Sequence, residues 1–196
     1  TPGGEVDGDA TLWIMSRYLR EHGKLANSKV VATVMSNIGL ELALKSIGVE
    51  LLRTPVGDKY VLEELLNSRA EIGGEQSGHI IVPGNSLVGD GMMTALMVIN
   101  AIREKDLTLS AATTGFTAYP QILVNVKVRE KVPFRDVPAI SAAANEVESE
   151  LAGHGRLLLR YSGTEDLARV MIEGRDQSEI DQLAQRLADI IRETLG

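Results

Sequence analysis

Two stretches of this chain gather side chains that can do chemistry. The first runs from Leu157 to Gly174 and reads as strand, loop, strand: Leu157, Leu158 and Leu159 form one apolar run, and Val170, Met171 and Ile172 form another. Between the two runs stand Arg160, Ser162, Gly163, Thr164 and Arg169. Arginine presents a planar fork that matches phosphate oxygens, and hydroxyls with exposed backbone amides can complete an anion-binding concavity. The same residues also make an ordinary polar hairpin turn with two solvated arginines, because Ser-Gly-Thr is common turn chemistry. The second stretch is Gly74-Glu-Gln-Ser-Gly-His79. Glu75, Ser77 and His79 alternate across a turn punctuated by glycine, so their side chains can point one way. A carboxylate accepts from two neighbouring sugar hydroxyls, and a serine adds one more bond. A hairpin with a solvated carboxylate fits this stretch too.

Other candidates are single residues. Lys59, in the polar turn Gly57-Asp-Lys59, can act as a point charge toward a phosphoryl group or stand as a plain surface lysine. Asp90, Ser36 and Asn37 are sufficiently explained as helix caps. His22 and His154 have no evident partners and read as solvated. Asp7-Gly-Asp9 has the hard oxygen donors that magnesium takes.

These side chains must be positioned by regular elements. Asp9 stands where an N-cap would, before Leu12, Met15 and Leu19 at helical spacing, and Gly23 supplies a stop. Val30–Val34 reads as a buried strand. Ser36 or Asn37 then caps a helix with Leu40, Leu44 and Ile47, closed by Gly48, and Val49–Leu52 is a second strand. Strand, helix, strand at this spacing implies a βαβ unit with parallel strands. Tyr60–Asn67 reads as a short helix and His79–Val82 as a strand. Asp90 caps a helix whose buried stripe is expected to be Met92, Ala95, Leu96, Ile99 and Ile102. The segment after it, with Thr113-Thr-Gly-Phe-Thr-Ala-Tyr-Pro120, has no period and is punctuated by Gly and Pro. Ile122, Val124, Val126 and Val128 alternate as in a half-buried strand. Ile140–Leu151 reads as a helix, and Ser178 stands where it could cap a last one carrying Ile180, Leu183, Leu187, Ile190 and Ile191. The expected class is α/β: a mixed, mainly parallel α/β domain over residues 1–110, a linker over 111–118, and a small α+β domain with an antiparallel sheet over 119–196.

Composition bounds the rest. Of 196 residues 44% are hydrophobic and only 4% aromatic, so the core is aliphatic. The net charge of −7 argues against a nucleic-acid partner, which needs a basic face. The absence of cysteine excludes disulfides and thiolate metal sites and fits a cytoplasmic location. No apolar run approaches the roughly 18 residues of a membrane span, so no membrane partner is expected. The first residues, Thr1–Glu5, carry no signal-peptide pattern.

Arg160-Tyr-Ser-Gly-Thr-Glu165 followed by Arg169-Val-Met resembles the phosphate-binding loop of the alpha-D-phosphohexomutases, and Gly74–His79 resembles their sugar-binding loop. The two motifs stand in the family's order. Val31–Asn37, Val56–Val61 and Gly89-Asp-Gly91 are also similar, and Gln76 points to the branch that acts on glucosamine phosphates. Nearly the whole chain is covered, but only as the C-terminal half of a family protein. The resemblance implies that Glu75 and Ser77 grip ring hydroxyls, that His79 lies near them or near a phosphate, that Lys59 lies on an active-site loop as an electrostatic helper, and that Arg160, Ser162, Gly163, Thr164 and Arg169 hold a phosphate. It implies interconversion of glucosamine 6-phosphate and glucosamine 1-phosphate: a phosphoserine donates its phosphoryl group, a hexosamine 1,6-bisphosphate forms, and the other phosphate returns to serine. It implies magnesium as cofactor, hexose or hexosamine phosphate as ligand, and allows a homodimer. The alternatives are a phosphoglucomutase or phosphomannomutase of the same family, or a sugar-phosphate-binding fragment without catalysis. The family's Ser-His-Asn-Pro-like loop and triple-aspartate metal loop are not in this sequence, so the chain by itself is expected to be inactive and its magnesium ligands to lie elsewhere. Asp7-Gly-Asp9, followed by Ala10-Thr-Leu-Trp13 rather than a third aspartate and an arginine, matches the start of the sugar-binding domain instead. Asp166 stands where the family commonly has proline, which implies a less rigid loop and an added negative charge beside the phosphate.

Overall fold

The structure is a computed structural model that describes residues 5–196. The reading of Thr1–Gly4 lies outside these. The chain divides into two compact units, Thr1–Ala118 and Tyr119–Gly196.

The first unit opens with α1 (Gly8–Glu21), followed by β1 (Lys29–Thr33), α2 (Ile38–Ser46), β2 (Glu50–Thr54), α3 (Asp58–Ser68), β3 (Gly73–Gly74), β4 (Ile80–Ile81), α4 (Gly91–Glu104) and α5 (Leu109–Ala112). Its sheet has the order β2-β1-β3-β4. β1 is parallel to both β2 and β3, and β3–β4 is an antiparallel hairpin. The parallel core follows from the sequence: Val30, Val31 and Ala32 are fully buried, as strands covered on both faces must be. Leu12, Met15 and Leu19 of α1 and Leu40 and Leu44 of α2 pack with Val30, Ala32 and Ile72, while Val61 and Leu65 of α3 pack with Val31.

Several local expectations are corrected. Asp7, not Asp9, is the N-cap of α1: its Oδ1 accepts from the Ala10 amide at 2.9 Å. Asp9 is wholly buried in the first turn. On α4, Met92, Leu96 and Ile99 are 81%, 65% and 51% exposed, so the expected stripe is largely the outer face. Of that stripe Ile102 packs inward, together with Met97, Val98 and Ala101. It is apolar nearly all round, so its periodicity does not select a face. The segment 111–118 packs onto the first unit: Ala112 is buried beside Ile14 and Ala101, Phe116 lies on the core, and Trp13 Nε1 donates to the Thr114 carbonyl at 3.1 Å. His22 is paired rather than solvated: its Nε2 lies 2.6 Å from Glu104 Oε1 and its ring against Tyr18.

The second unit contains β5 (Gln121–Lys127), a 3-10 turn (Phe134–Asp136), α6 (Pro138–Glu150), β6 (Gly155–Tyr161), β7 (Leu167–Gly174) and α7 (Gln177–Leu195). The sheet order is β5-β7-β6, all antiparallel. Val126, Val170 and Ile172 sit in one core with Ile140 and Val147 of α6 and Ile180, Leu183, Leu187 and Ile191 of α7. Asp176, not Ser178, caps α7, accepting from the Glu179 amide at 2.9 Å. His154 Nε2 lies 3.7 Å from Glu179, again not simply solvated. No helix among the described residues is long and apolar enough to cross a membrane.

Candidate functional site

In a parallel sheet the loops that follow the strands share one end, and ligands bind there. In the first unit those loops follow Thr33, Thr54 and Gly74. They enclose a cleft of about 480 Å³ lined by Thr33, Met35, Val56, Glu75, Gln76 and Ser77, with Glu5 and Asp7 at its edge. Glu75 belongs to this cleft and is not the solvated carboxylate of a free hairpin, since its side chain is only 15% exposed. Its Oε1 accepts from the Gly57 amide at 3.0 Å, and its Oε2 lies 3.7 Å from His79 Nδ1. Gly57 holds φ at +130° as the N-cap of α3, a conformation that L side chains rarely adopt, so glycine lets the amide turn toward Glu75. The 75–79 turn closes through Glu75 N–H to the His79 carbonyl and Gly78 N–H to the Glu75 carbonyl, both at 2.9 Å. Ser77 is exposed at the turn's tip, and His79 is exposed on its returning side, outside the cleft lining. Lys59 lies in the first turn of α3, exposed, its Nζ 5.8 Å from the centre of the Tyr60 ring.

Behind the cleft lies a residue whose role the sequence did not give. Asp9 Oδ2 accepts from the Asn37 amide at 2.7 Å and from Gln76 Nε2 at 3.3 Å. Burial dominates its electrostatics and pushes its pKa to about 6; the Asn37 amide bond, the nearby Ser36 and the Arg53 charge pull down, and Asp7 pushes up. The only sequence signal was the pair of aspartates, which the cap rule resolved toward the wrong one.

The second unit holds the cationic group. Arg160 on β6 and Arg169 on β7 are directly opposite in register. Like charges across a ladder repel, and Arg160 is correspondingly held below the ordinary arginine pKa by burial and by Arg169. Arg169 Nη2 donates to Ser162 Oγ at 3.3 Å and to Glu165 Oε2 at 3.2 Å, while its Nε is buried with no hydrogen-bond partner. Ser162 is buried and turned into the loop, where its Oγ also accepts from the Glu165 amide at 3.3 Å. Gly163 and Thr164 are exposed, and a Cβ on Gly163 would meet nothing within 4 Å. The loop is closed by the Ser162 amide donating to the Leu167 carbonyl at 2.8 Å and the Val128 amide to the Asp166 carbonyl at 3.0 Å. The Asp166 carboxylate is 84% exposed and lies 3.5 Å from Lys131 Nζ.

The described residues offer magnesium no fitting site. Asp7 is committed as a cap, Asp9 is buried against a backbone amide, and no three acidic or histidine side chains cluster.

This arrangement, an acidic cleft at the strand ends of an α/β unit followed by a paired-arginine hairpin, matches known domains. Residues 7–119 match a family model described as phosphoglucomutase/phosphomannomutase, alpha/beta/alpha domain III, and residues 123–190 match the C-terminal domain of the same family. The chain belongs to the phosphoglucomutase/phosphomannomutase family. Within that family it is 47% identical over 194 residues to a phosphoglucosamine mutase of Solibacter usitatus and 46% identical over 196 residues to that of Caldanaerobacter subterraneus. Each alignment covers 99% of this chain but 44% of the relative, so the chain spans less than half the length of these proteins. The fold matches N-acetylphosphoglucosamine mutase of Aspergillus fumigatus with a TM-score of 0.80 at 23% identity, over 96% of this chain and 43% of the other. A structure of that enzyme in complex with GlcNAc-6P and magnesium matches with a TM-score of 0.78, also at 23% identity, over 97% of this chain and 44% of the other.

Proposed function

We propose that the chain supplies the ring-holding and phosphate-holding parts of a phosphoglucosamine mutase, an isomerase that interconverts glucosamine 6-phosphate and glucosamine 1-phosphate through a hexosamine 1,6-bisphosphate. The observation that carries this reading is the sorting of charge. A carboxylate anchored by one oxygen lines the cleft of the first unit, and two facing guanidiniums, one with an unsatisfied buried Nε, occupy the second. A carboxylate repels phosphate and suits hydroxyls, whereas guanidinium forks suit phosphate. Glu75 and Ser77 hold the ring, with His79 orienting Glu75 from the side. Arg160, Arg169 and the 162–164 loop hold the phosphate that is not being transferred, and this anion displaces Glu165 from Arg169. Lys59 adds positive charge near the cleft. The phosphoserine and the magnesium ligands belong to a part of the longer protein outside this sequence, so the chain alone turns nothing over. The relatives' names favour glucosamine phosphate over glucose or mannose phosphate as the ligand.

Chemical-shift titration of the chain tests the reading. A charge-assisted hydrogen bond contributes about 1.5–3 kcal/mol, so Arg160→Ala weakens both glucosamine 6-phosphate and inorganic phosphate roughly ten- to a hundred-fold. Arg160→Lys is nearly as costly, since a point charge does not replace a fork. Glu75→Gln weakens the sugar phosphate only. Equal loss of bare phosphate in Glu75→Gln and Arg160→Ala overturns the division of labour, and so does turnover by the chain in a coupled assay with added bisphosphate and magnesium.

A further inference from the structure

We propose that Asp9 is a positioning residue of the ring-binding loop: from the first turn of α1 it holds the Gln76 side chain, and through Gln76 it sets where Glu75 and Ser77 stand for the hydroxyls of a hexosamine phosphate. The inference rests on the reading of that loop given above and deepens it.

Asp9 is not needed by its own helix, because Asp7 already caps α1. Its carboxylate is instead the meeting point of three segments distant in sequence: the start of α1, the turn between β1 and α2 through the Asn37 amide, and the 75–79 loop through Gln76 Nε2. The contact between α1 and the loop is made a second time by the backbone. The Gly8 amide donates to the Gln76 carbonyl at 2.9 Å, and a Cβ on Gly8 would stand 2.0 Å from the Glu75 carbonyl oxygen. The loop is therefore fixed from two sides, Glu75 by the Gly57 amide and Gln76 by α1. Ser77, the next residue, is left exposed over the cleft with its position set by those two anchors. Gln76 lines the cleft, but its amide is held by Asp9, and this fixes its neighbours Glu75 and Ser77 toward the ligand.

The charges around Asp9 do not neutralise it. Asp7 lies on the same helix, and the nearby cation is Arg53 on β2, whose guanidinium donates to Glu41 Oε2 at 3.0 and 3.1 Å and to the Ser36 carbonyl at 2.8 Å. Such a carboxylate is a costly way merely to hold a helix in place. Its Oδ2 instead joins the Asn37 amide and the Gln76 side chain at one point, while Oδ1 is buried without a hydrogen-bond partner.

The test is a set of titrations of the full chain with glucosamine 6-phosphate and, separately, inorganic phosphate. Gln76→Leu and Asp9→Ala each weaken the sugar phosphate about three- to ten-fold, the scale of one hydrogen bond, and leave inorganic phosphate unchanged. The double variant is no weaker than Asp9→Ala alone, because both act through one link. Asp9→Asn keeps an acceptor and binds within about two-fold of the parent. A merely structural aspartate lowers stability without this ligand-selective, non-additive loss. Should Asp9→Ala fail to fold, Gln76→Leu against Asp9→Asn decides. If Glu75→Gln weakens the sugar phosphate while Gln76→Leu does not, the Asp9 inference is overturned and the loop reading stands. If the parent chain does not bind the sugar phosphate, or Glu75→Gln has no effect, both fall.

Discussion

Neutralising Asp9 should raise the stability of the first unit relative to the parent progressively as pH rises. The Asp9 carboxyl is fully buried, and desolvation raises its pKa from 3.8 to about 6 against the pull of its hydrogen bonds and Arg53. A carboxyl whose folded pKa lies above its unfolded one binds its proton more tightly in the folded state. Folding is therefore favoured while the group is protonated, and this contribution is lost as pH climbs through the window from about 4 to about 6. At about 1.4 kcal/mol per pH unit the difference amounts to about 3 kcal/mol, complete near neutrality. Asp9→Asn carries no such charge. Its stability relative to the parent should rise by about 2–3 kcal/mol between pH 4 and pH 8, whatever constant offset the altered hydrogen bonds impose. Trp13 is the chain's single tryptophan, buried on α1, so its fluorescence reports unfolding of this unit specifically. Urea titrations at several pH values give the midpoint shift directly. A difference between variant and parent that does not change with pH would refute the account of Asp9 as a buried, imperfectly neutralised charge. So would one that grows against the variant as pH rises.

Gly8→Ala should destabilise the first unit by about 1–3 kcal/mol despite alanine's better helix propensity, because the new Cβ meets the Glu75 and Gln76 backbone, which cannot yield as a flexible side chain would; thermal unfolding measures the loss, and amide shifts of residues 75–78 show the displaced loop. Leu96→Ser with Ile99→Ser should leave stability within about 0.5 kcal/mol, since both side chains are exposed. The pair should also reduce any self-association at high concentration, read by sedimentation, whereas a loss of several kcal/mol would return those residues to the core.

What could be read from the sequence was whatever short-range pattern fixes. The βαβ unit was legible because Val30, Val31 and Ala32 form an unbroken β-branched and small run, and Asn37 and Gly48 bracket the helix between strands. The second unit was legible because Ile122, Val124 and Val126 alternate and α7 repeats its apolar face for nineteen residues. The placing of Arg160 opposite Arg169 followed once the strand pairing was known. Partners far along the chain were not legible. Asp7 and Asp9 are equally good caps by type, and both suit the positive end of a helix. What separates them is an amide 28 residues away that claims Asp9, and no local rule contains it. The same holds for Glu75, for which a solvated hairpin carboxylate stood as an alternative because its anchor, the Gly57 amide, lies in another segment. On α4 the obstacle was excess rather than absence. With apolar residues on nearly every side, only the packing of α1 and the 107–116 segment decides that Val98 and Ala101 turn inward while Met92 and Leu96 turn out. At Asp9 and Glu75 the local pattern alone left the partner open, because each is held by an amide from another segment. A residue that must hold a loop in place takes its partner from another segment, and its neighbours in sequence then say little about it.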